Sequence, residues 1–161
     1  MMRNKGGFTA IELMVAVGIL GILMTLAMVS QSKLLPHYRL SAASRQVVTD
    51  VRLLRAKAVS QNDRFRMIFA AGEDAYRAER RNPSSGAWEP YALYRRGAAT
   101  AGSNQPVSLP SGVTIVSAIE LTFHPRGTID VSVGASPIVL SAPGSRTRSV
   151  SVNVAGMITI S

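Results

Sequence analysis

Few side chains in this sequence have the type and spacing that chemistry requires. There is no cysteine, which removes disulfides, thiolate nucleophiles and the usual cysteine metal sites. The two histidines, His37 and His124, have no His-x-x-Glu companion, and a lone histidine beside Pro125 reads as a turn residue rather than a ligand or a general base. Glu73-Asp74 lies in a turn-forming AGED stretch with no run of oxygen donors after it, unlike a calcium loop. Ser84-Ser85-Gly86 lacks the strand-to-helix context of a nucleophile elbow. No acid, base or metal set is assembled, so catalysis by this chain is disfavoured and no cofactor is expected. Two features remain. One is basic: Arg64, Arg66, Arg77, Arg80, Arg81, Arg95 and Arg96, interleaved with Tyr76, Trp88, Tyr91 and Tyr94, a composition able to grip a phosphate backbone. The other is one acid, Glu12, inside the apolar stretch GGFTAIELMVAVGILGIL at residues 6–23.

These residues need elements to hold them. At 161 residues the chain fits one compact domain with an N-terminal appendage. Its formal charge is +9 although only 17% of residues are charged. The bias is therefore a shortage of acids rather than a dense basic tract, and both nucleic acid and anionic lipid stay open as partners. From Leu13 to Val29 the only polar residue is Thr25. As a helix this run covers roughly 25 Å, and adding Phe8 to Glu12 brings it near the ~30 Å of a bilayer's hydrocarbon. Arg3 and Lys5 precede it and Lys33 follows it, so flanking charge does not orient it. A secretory signal would be shorter and would end in a small-x-small cleavage site. A plain anchor has the right length but leaves a carboxylate in lipid, which is costly without a partner.

A cut between Gly7 and Phe8 would supply that partner. It would create a cationic amine four residues before Glu12, where the carboxylate already suits the positive end of a helix dipole. In a stack of such helices the amine of one copy can meet the Glu12 of the next. KGGFTAIELMVAV resembles the class III leader of type IV prepilins and type II secretion pseudopilins. The resemblance implies removal of residues 1–7 by a membrane-embedded prepilin peptidase, methylation of the Phe8 amine, and a role for Glu12 in assembly. Ala10, Gly18, Gly21 and Thr25 share one side of this helix, where small residues permit close helix approach.

Beyond Ser30, Leu40, Ala43, Val47, Val51, Leu54 and Ala58 recur at helical spacing, with Arg39, Arg45, Arg52, Arg55 and Lys57 on other faces. This predicts a second helical half ending near Gln61-Asn62, with Pro36 favouring a kink or break between the halves. From Arg64 the period becomes two. RFRMIFA, AYRAERR and AWEPYALYRR, then VSLPSGVTIV, IELTFHPRGTIDV, PIVLSA, RSVSVNVA and GMITI, read as seven or eight short strands separated by turn residues. GAATAGSNQP, residues 97–106, reads as an exposed loop. Val150, Val152 and Val154 are expected on one half-buried face, with Gly127 and Gly156 at tight turns.

LPSGV at 109–113, LTFHPRGT at 121–128 and the closing SVSVNVAGMITI resemble the head of the GspH/FimT family of minor pseudopilins and minor pilins. Together the two resemblances imply an α+β fold: a long N-terminal helix, transmembrane in its first half and amphipathic in its second, on a small antiparallel β-sandwich head. The expected divisions are a leader at 1–7, a transmembrane helix at 8–30, its amphipathic continuation at 31–62 and a β-rich periplasmic head at 63–161. The implied role is a structural subunit of a type II secretion pseudopilus or type IV pilus, close to its tip, single-pass in the bacterial inner membrane. Its partners would be other major and minor pseudopilins or pilins, the prepilin peptidase and the inner-membrane assembly platform. The alternative is a DNA-binding FimT-like pilin for DNA uptake, with Arg64, Arg66, Arg80, Arg81, Arg95 and Arg96 as contacts. That branch carries a basic Gly-Arg-x-Arg-like tail, where this chain has Met157 after Gly156, so nucleic acid is not favoured.

Overall fold

The computed structural model describes residues 8–93, 106–132, 137–144 and 146–161, with side-chain detail outside residues 26–34. Tyr94, Arg95, Arg96, most of the expected 97–106 loop and the leader through Gly7 therefore lie outside the described residues. One helix, α1 (Ala10–Gln61), has 52 residues and runs on through Pro36 rather than breaking there. Two compact units divide at that proline, one reaching Leu35 and the other Pro36–Ser161.

In the first unit the apolar side chains of α1 face outward. Ile11, Leu13, Val15, Val17, Leu20 and Leu23 are each more than half exposed. Gly18 and Gly21 have nothing near the position a Cβ would take, and the Thr25 hydroxyl donates to the Ile22 carbonyl of its own helix at 2.7 Å. Among the described residues no helix is long and apolar enough to cross a membrane. Residues 26–29, which continue the apolar run, lie among the side chains outside the description.

In the second unit the helical stripe does what its spacing predicts. Leu40, Ala43, Val47, Val51, Leu54 and Ala58 are all buried, each large aliphatic among them contributing about 1.5–3 kcal/mol of apolar transfer. Among the described residues ten strands follow: β1 (Phe65–Phe69), β2 (Ala75–Arg81), β3 (Trp88–Pro90), β4 (Val107–Ser108), β5 (Thr114–Ile115), β6 (Ile119–Phe123), β7 (Ile129–Ser132), β8 (Ile138–Ala142), β9 (Arg146–Val152) and β10 (Ile158–Ile160). They form two antiparallel sheets. One has the order β3-β2-β1-β6-β7, with β4 also on β2, and the other the order β10-β9-β8-β5.

Strict alternation of buried and half-exposed residues in β1, β6 and β8 sends Phe65, Met67, Phe69, Leu121, Phe123 and Leu140 into one core shared with the helix. The sheets are joined at their ends by backbone bonds, from Ile129 N–H to Val154 O at 3.0 Å and from Ile115 N–H to Glu73 O at 2.8 Å.

The strand count exceeds the expected seven or eight because two apparent strands are each divided. Pro110 and Gly112 separate β4 from β5, which then join different sheets, while Pro125 and Gly127 fold β6 back onto β7. AWEPYALYRR is a strand only over β3. The expected Val150, Val152, Val154 face is corrected as well. Val150 and Val152 are buried, but Val154 is exposed because the turn through Gly156, at φ +80°, starts after β9 and lifts it off the strand.

Arg55 ties helix to turns. Its Nε donates to Gly127 O at 2.8 Å and its Nη2 to Ala155 O at 2.9 Å. A second polar tie runs from Asp50, which accepts the Tyr76 hydroxyl, through Gln46, whose Nε2 donates to Ser108 O at 3.0 Å.

Candidate functional site

Two places hold the predicted site residues. At the start of α1, Thr9 is the N-cap and Glu12 the third residue of the helix. The Thr9 amide and hydroxyl both donate to Glu12 Oε2, at 3.0 and 2.9 Å, and the Glu12 amide lies 3.3 Å from Thr9 Oγ1. This is a reciprocal capping box, in which side chains satisfy amides that the first turn leaves unpaired. The signal Thr-x-x-Glu was readable in the sequence at residues 9–12. The apolar surroundings of Glu12 mask it, because they point to a partner outside the chain. Around it, Phe8, Ile11, Val15, Ala16 and Ile19 form one exposed apolar face of the helix, with Glu12 as its charged member. Gly7, the other half of the expected cleavage site, is outside the described residues.

The arginines are the second place, and the structure sorts them. Arg66 is committed: its guanidinium binds Glu79 at 2.6–2.7 Å and Glu120 at 3.2 Å, and stacks 4.5 Å from the Trp88 ring centroid. The pairing follows from register, since Arg66 stands opposite Glu79 across β1 and β2. Arg80 binds Asp63 through Nε at 2.9 Å. Arg81 leans back on its own turn, with Nε 3.3 Å from Gly86 O. Arg64 and Arg77 are exposed, and neither has a side-chain partner among the described residues. Of the six predicted contacts, the four described ones thus differ: Arg66 and Arg80 are paired with acids, Arg81 with a carbonyl, and Arg64 is exposed, while Arg95 and Arg96 lie outside the described residues.

Arg64 instead adjoins a residue not singled out from sequence, Arg126. They line a cleft of about 540 Å³ with Asn62, His124, Thr128 and Asp130. His124 is paired, its Nε2 2.7 Å from Asp130 Oδ2, which agrees with a structural turn residue. The signal was the hairpin itself, because alternation places residues 124 and 130 on the same face once Gly127 turns the chain. His37 is exposed, and its ring lies edge-on to that of Tyr38 with centroids 6.4 Å apart. Among the described residues no group of three or more metal-ligating side chains converges.

Comparison with known proteins bears on both ends of the chain. The prokaryotic N-terminal methylation motif matches residues 2–28. The family described as Type II transport protein GspH matches residues 43–156, more than half of the chain. Among curated proteins there is no significant sequence match. Two solved structures of the minor pseudopilin EpsH from the type 2 secretion system of Vibrio cholerae share the fold. Both are 12% identical and cover 76% of this chain; the TM-scores are 0.55 and 0.53, over 96% and 92% of the respective EpsH chains. With the methylation motif at its start and the GspH profile across its head, the chain belongs to the GspH family of type II transport proteins and has the fold of a minor pseudopilin.

Proposed function

We propose that this chain is a minor pseudopilin of a type II secretion system, a structural subunit rather than an enzyme. It is cut between Gly7 and Phe8 by a prepilin peptidase and methylated on the Phe8 amine. It sits in the bacterial inner membrane through residues 8–30, continues as an amphipathic helix over 31–62, and holds its head, 63–161, in the periplasm. Other pseudopilins and the inner-membrane assembly platform are its partners, and its place is near the filament tip.

One observation carries the reading. The first helical turn presents a carboxylate on an otherwise apolar, exposed helix face, and a lone acid in such a surface requires a cation from a neighbour once water is removed. Both hydrogen bonds from Thr9 converge on Oε2, which leaves Oε1 to accept an incoming amine. A role in DNA uptake has less support, because Arg66 and Arg80 are already neutralised by acids of the same head.

Intact-mass and N-terminal fragment mass spectrometry of the chain purified from its membrane tests the proposal. The expected species begins at Phe8 and is one methyl group heavier than the bare peptide. Assembled filaments containing residues 1–7 would overturn it.

A further inference from the structure

We propose that the head carries a preformed groove that binds an extended acidic segment of another protein. The groove consists of two adjoining clefts that share Asn62, Arg64 and Pro125. One, of about 540 Å³, continues past Arg126 and His124; the other, of about 310 Å³, continues past Arg81 and Asn82. The inference does not depend on the filament role, since it concerns a different surface and different chemistry.

The charges point to the ligand. Arg64 and Arg126 are exposed, and among the described residues neither has a hydrogen-bond or ion-pair partner, in contrast to Arg66 and Arg80. A guanidinium presents parallel N–H donors that match a carboxylate, and such charge-assisted bonds are roughly twice as strong as neutral ones. Three arginines line the groove, together with two aspartates, Asp63 and Asp130. A nucleic-acid backbone, with a charge at every step, would meet those aspartates. A peptide carrying separated carboxylates can place its acids on Arg126, Arg64 and Arg81 and its neutral residues elsewhere. A small free anion would occupy one end and leave the other unused.

The walls are already fixed. Asn62 ends α1 at φ +54°, Asp63 N–H closes onto Ala58 O at 3.2 Å, and the Asp63 carboxylate is held by Arg80. On the opposite side the β6–β7 turn is closed by His124 N–H to Thr128 O at 3.0 Å, and Arg55 holds Gly127 O from the helix. At the far end Asn82 Oδ1 accepts the Ser84 amide at 2.9 Å, shaping the β2–β3 turn. The backbone of a groove built this way has little conformational entropy left to lose on binding.

The test is fluorescence anisotropy with the full chain in non-ionic detergent, using a labelled peptide of alternating glutamate and serine and its glutamine counterpart. The glutamate peptide is expected to bind and the glutamine peptide not to bind. Arg64→Gln with Arg126→Gln should weaken binding about tenfold or more, as the loss of charge-assisted hydrogen bonds implies. Arg64→Lys with Arg126→Lys should restore part of it. Arg77→Gln removes an exposed arginine of β2 outside the groove and should change affinity less than about twofold, as a distant screened charge does. Equal losses from Arg77→Gln and from the groove pair would overturn the site in favour of diffuse charge. Displacement by duplex DNA at lower concentration than by unlabelled peptide would replace the acidic segment with nucleic acid, and displacement by equimolar inorganic phosphate would replace it with a small anion. Both groove arginines are exposed, so the variants are expected to keep the wild-type melting temperature. Should the double variant melt lower, Arg126→Gln alone serves, and unchanged affinity in that variant would also overturn the proposal.

Discussion

Gly156 has a backbone φ of +80°, and the place its Cβ would take lies 2.5 to 2.8 Å from three atoms of the Arg55 guanidinium. A free arginine would move aside, but this one is held by the carbonyls of Gly127 and Ala155. Gly156→Ala therefore combines left-handed backbone strain, worth about 1–3 kcal/mol, with displacement of the group that ties helix to turns. Thermal unfolding of the head should show that loss. Repeating the substitution in an Arg55→Ala background should show a smaller increment, with a coupling of at least about 0.5 kcal/mol; zero coupling would mean that strain alone is responsible. Tyr76 sits at the other polar tie. It is fully buried and donates its hydroxyl to Asp50, so Tyr76→Phe preserves the ring and removes one donor from a buried carboxyl. The expected cost is about 1–3 kcal/mol in unfolding free energy, and an unchanged melting curve would show that other contacts of Asp50 suffice.

A single helix, α1, serves two environments, and the difference is measurable. Leu54 is completely buried in the head, whereas Leu20 is 56% exposed in the first unit. Leu54→Ala should cost about 2–5 kcal/mol of head stability, the range for a core leucine that leaves a cavity. Leu20→Ala should alter head unfolding by no more than about 0.5 kcal/mol, and comparing the two melting curves checks both. That contrast was legible in the residues themselves, since the stripe from Leu40 to Ala58 has helical spacing and the run from Leu13 has no polar face. Alternation likewise marked β1, β6 and β8. What local pattern does not encode is pairing. VSLPSGVTIV looks like one strand, yet β4 joins β2 and β5 joins β8 in the other sheet. Arg66 and Arg64 are two residues apart and look equivalent, but only Arg66 meets acids of β2 and β6. The groove at Arg64 and Arg126 was invisible for the same reason, because it exists only once the helix end and the β6–β7 turn are brought together. Thr9 and Glu12 are the opposite case, a local motif that was readable.

Across the whole molecule, head folding and the proposed assembly contact rest on separate residues, so a substitution is expected to damage one and spare the other. Among the described residues the buried core lies within Pro36–Ser161, while the apolar side chains from Ile11 to Met24 in the first unit are exposed. Glu12 has two roles to disentangle, the observed cap with Thr9 and the proposed ion pair with a neighbour's amine. Glu12→Gln separates them, because glutamine retains an oxygen that accepts from Thr9, as capping boxes allow, while losing the negative charge. A neutral side chain also enters lipid more readily. Membrane insertion and head stability should therefore be unchanged, while incorporation into pseudopili, measured as the filament fraction of the membrane-inserted protein, should fall about tenfold or more, as for loss of a desolvated ion pair. Thr9→Val provides the reciprocal case: it removes the hydroxyl from the cap and leaves the charge, so incorporation should be reduced far less. If Glu12→Gln assembles normally and Thr9→Val does not, the carboxylate acts as a helix cap and the neighbouring amine has no part in recruiting this subunit.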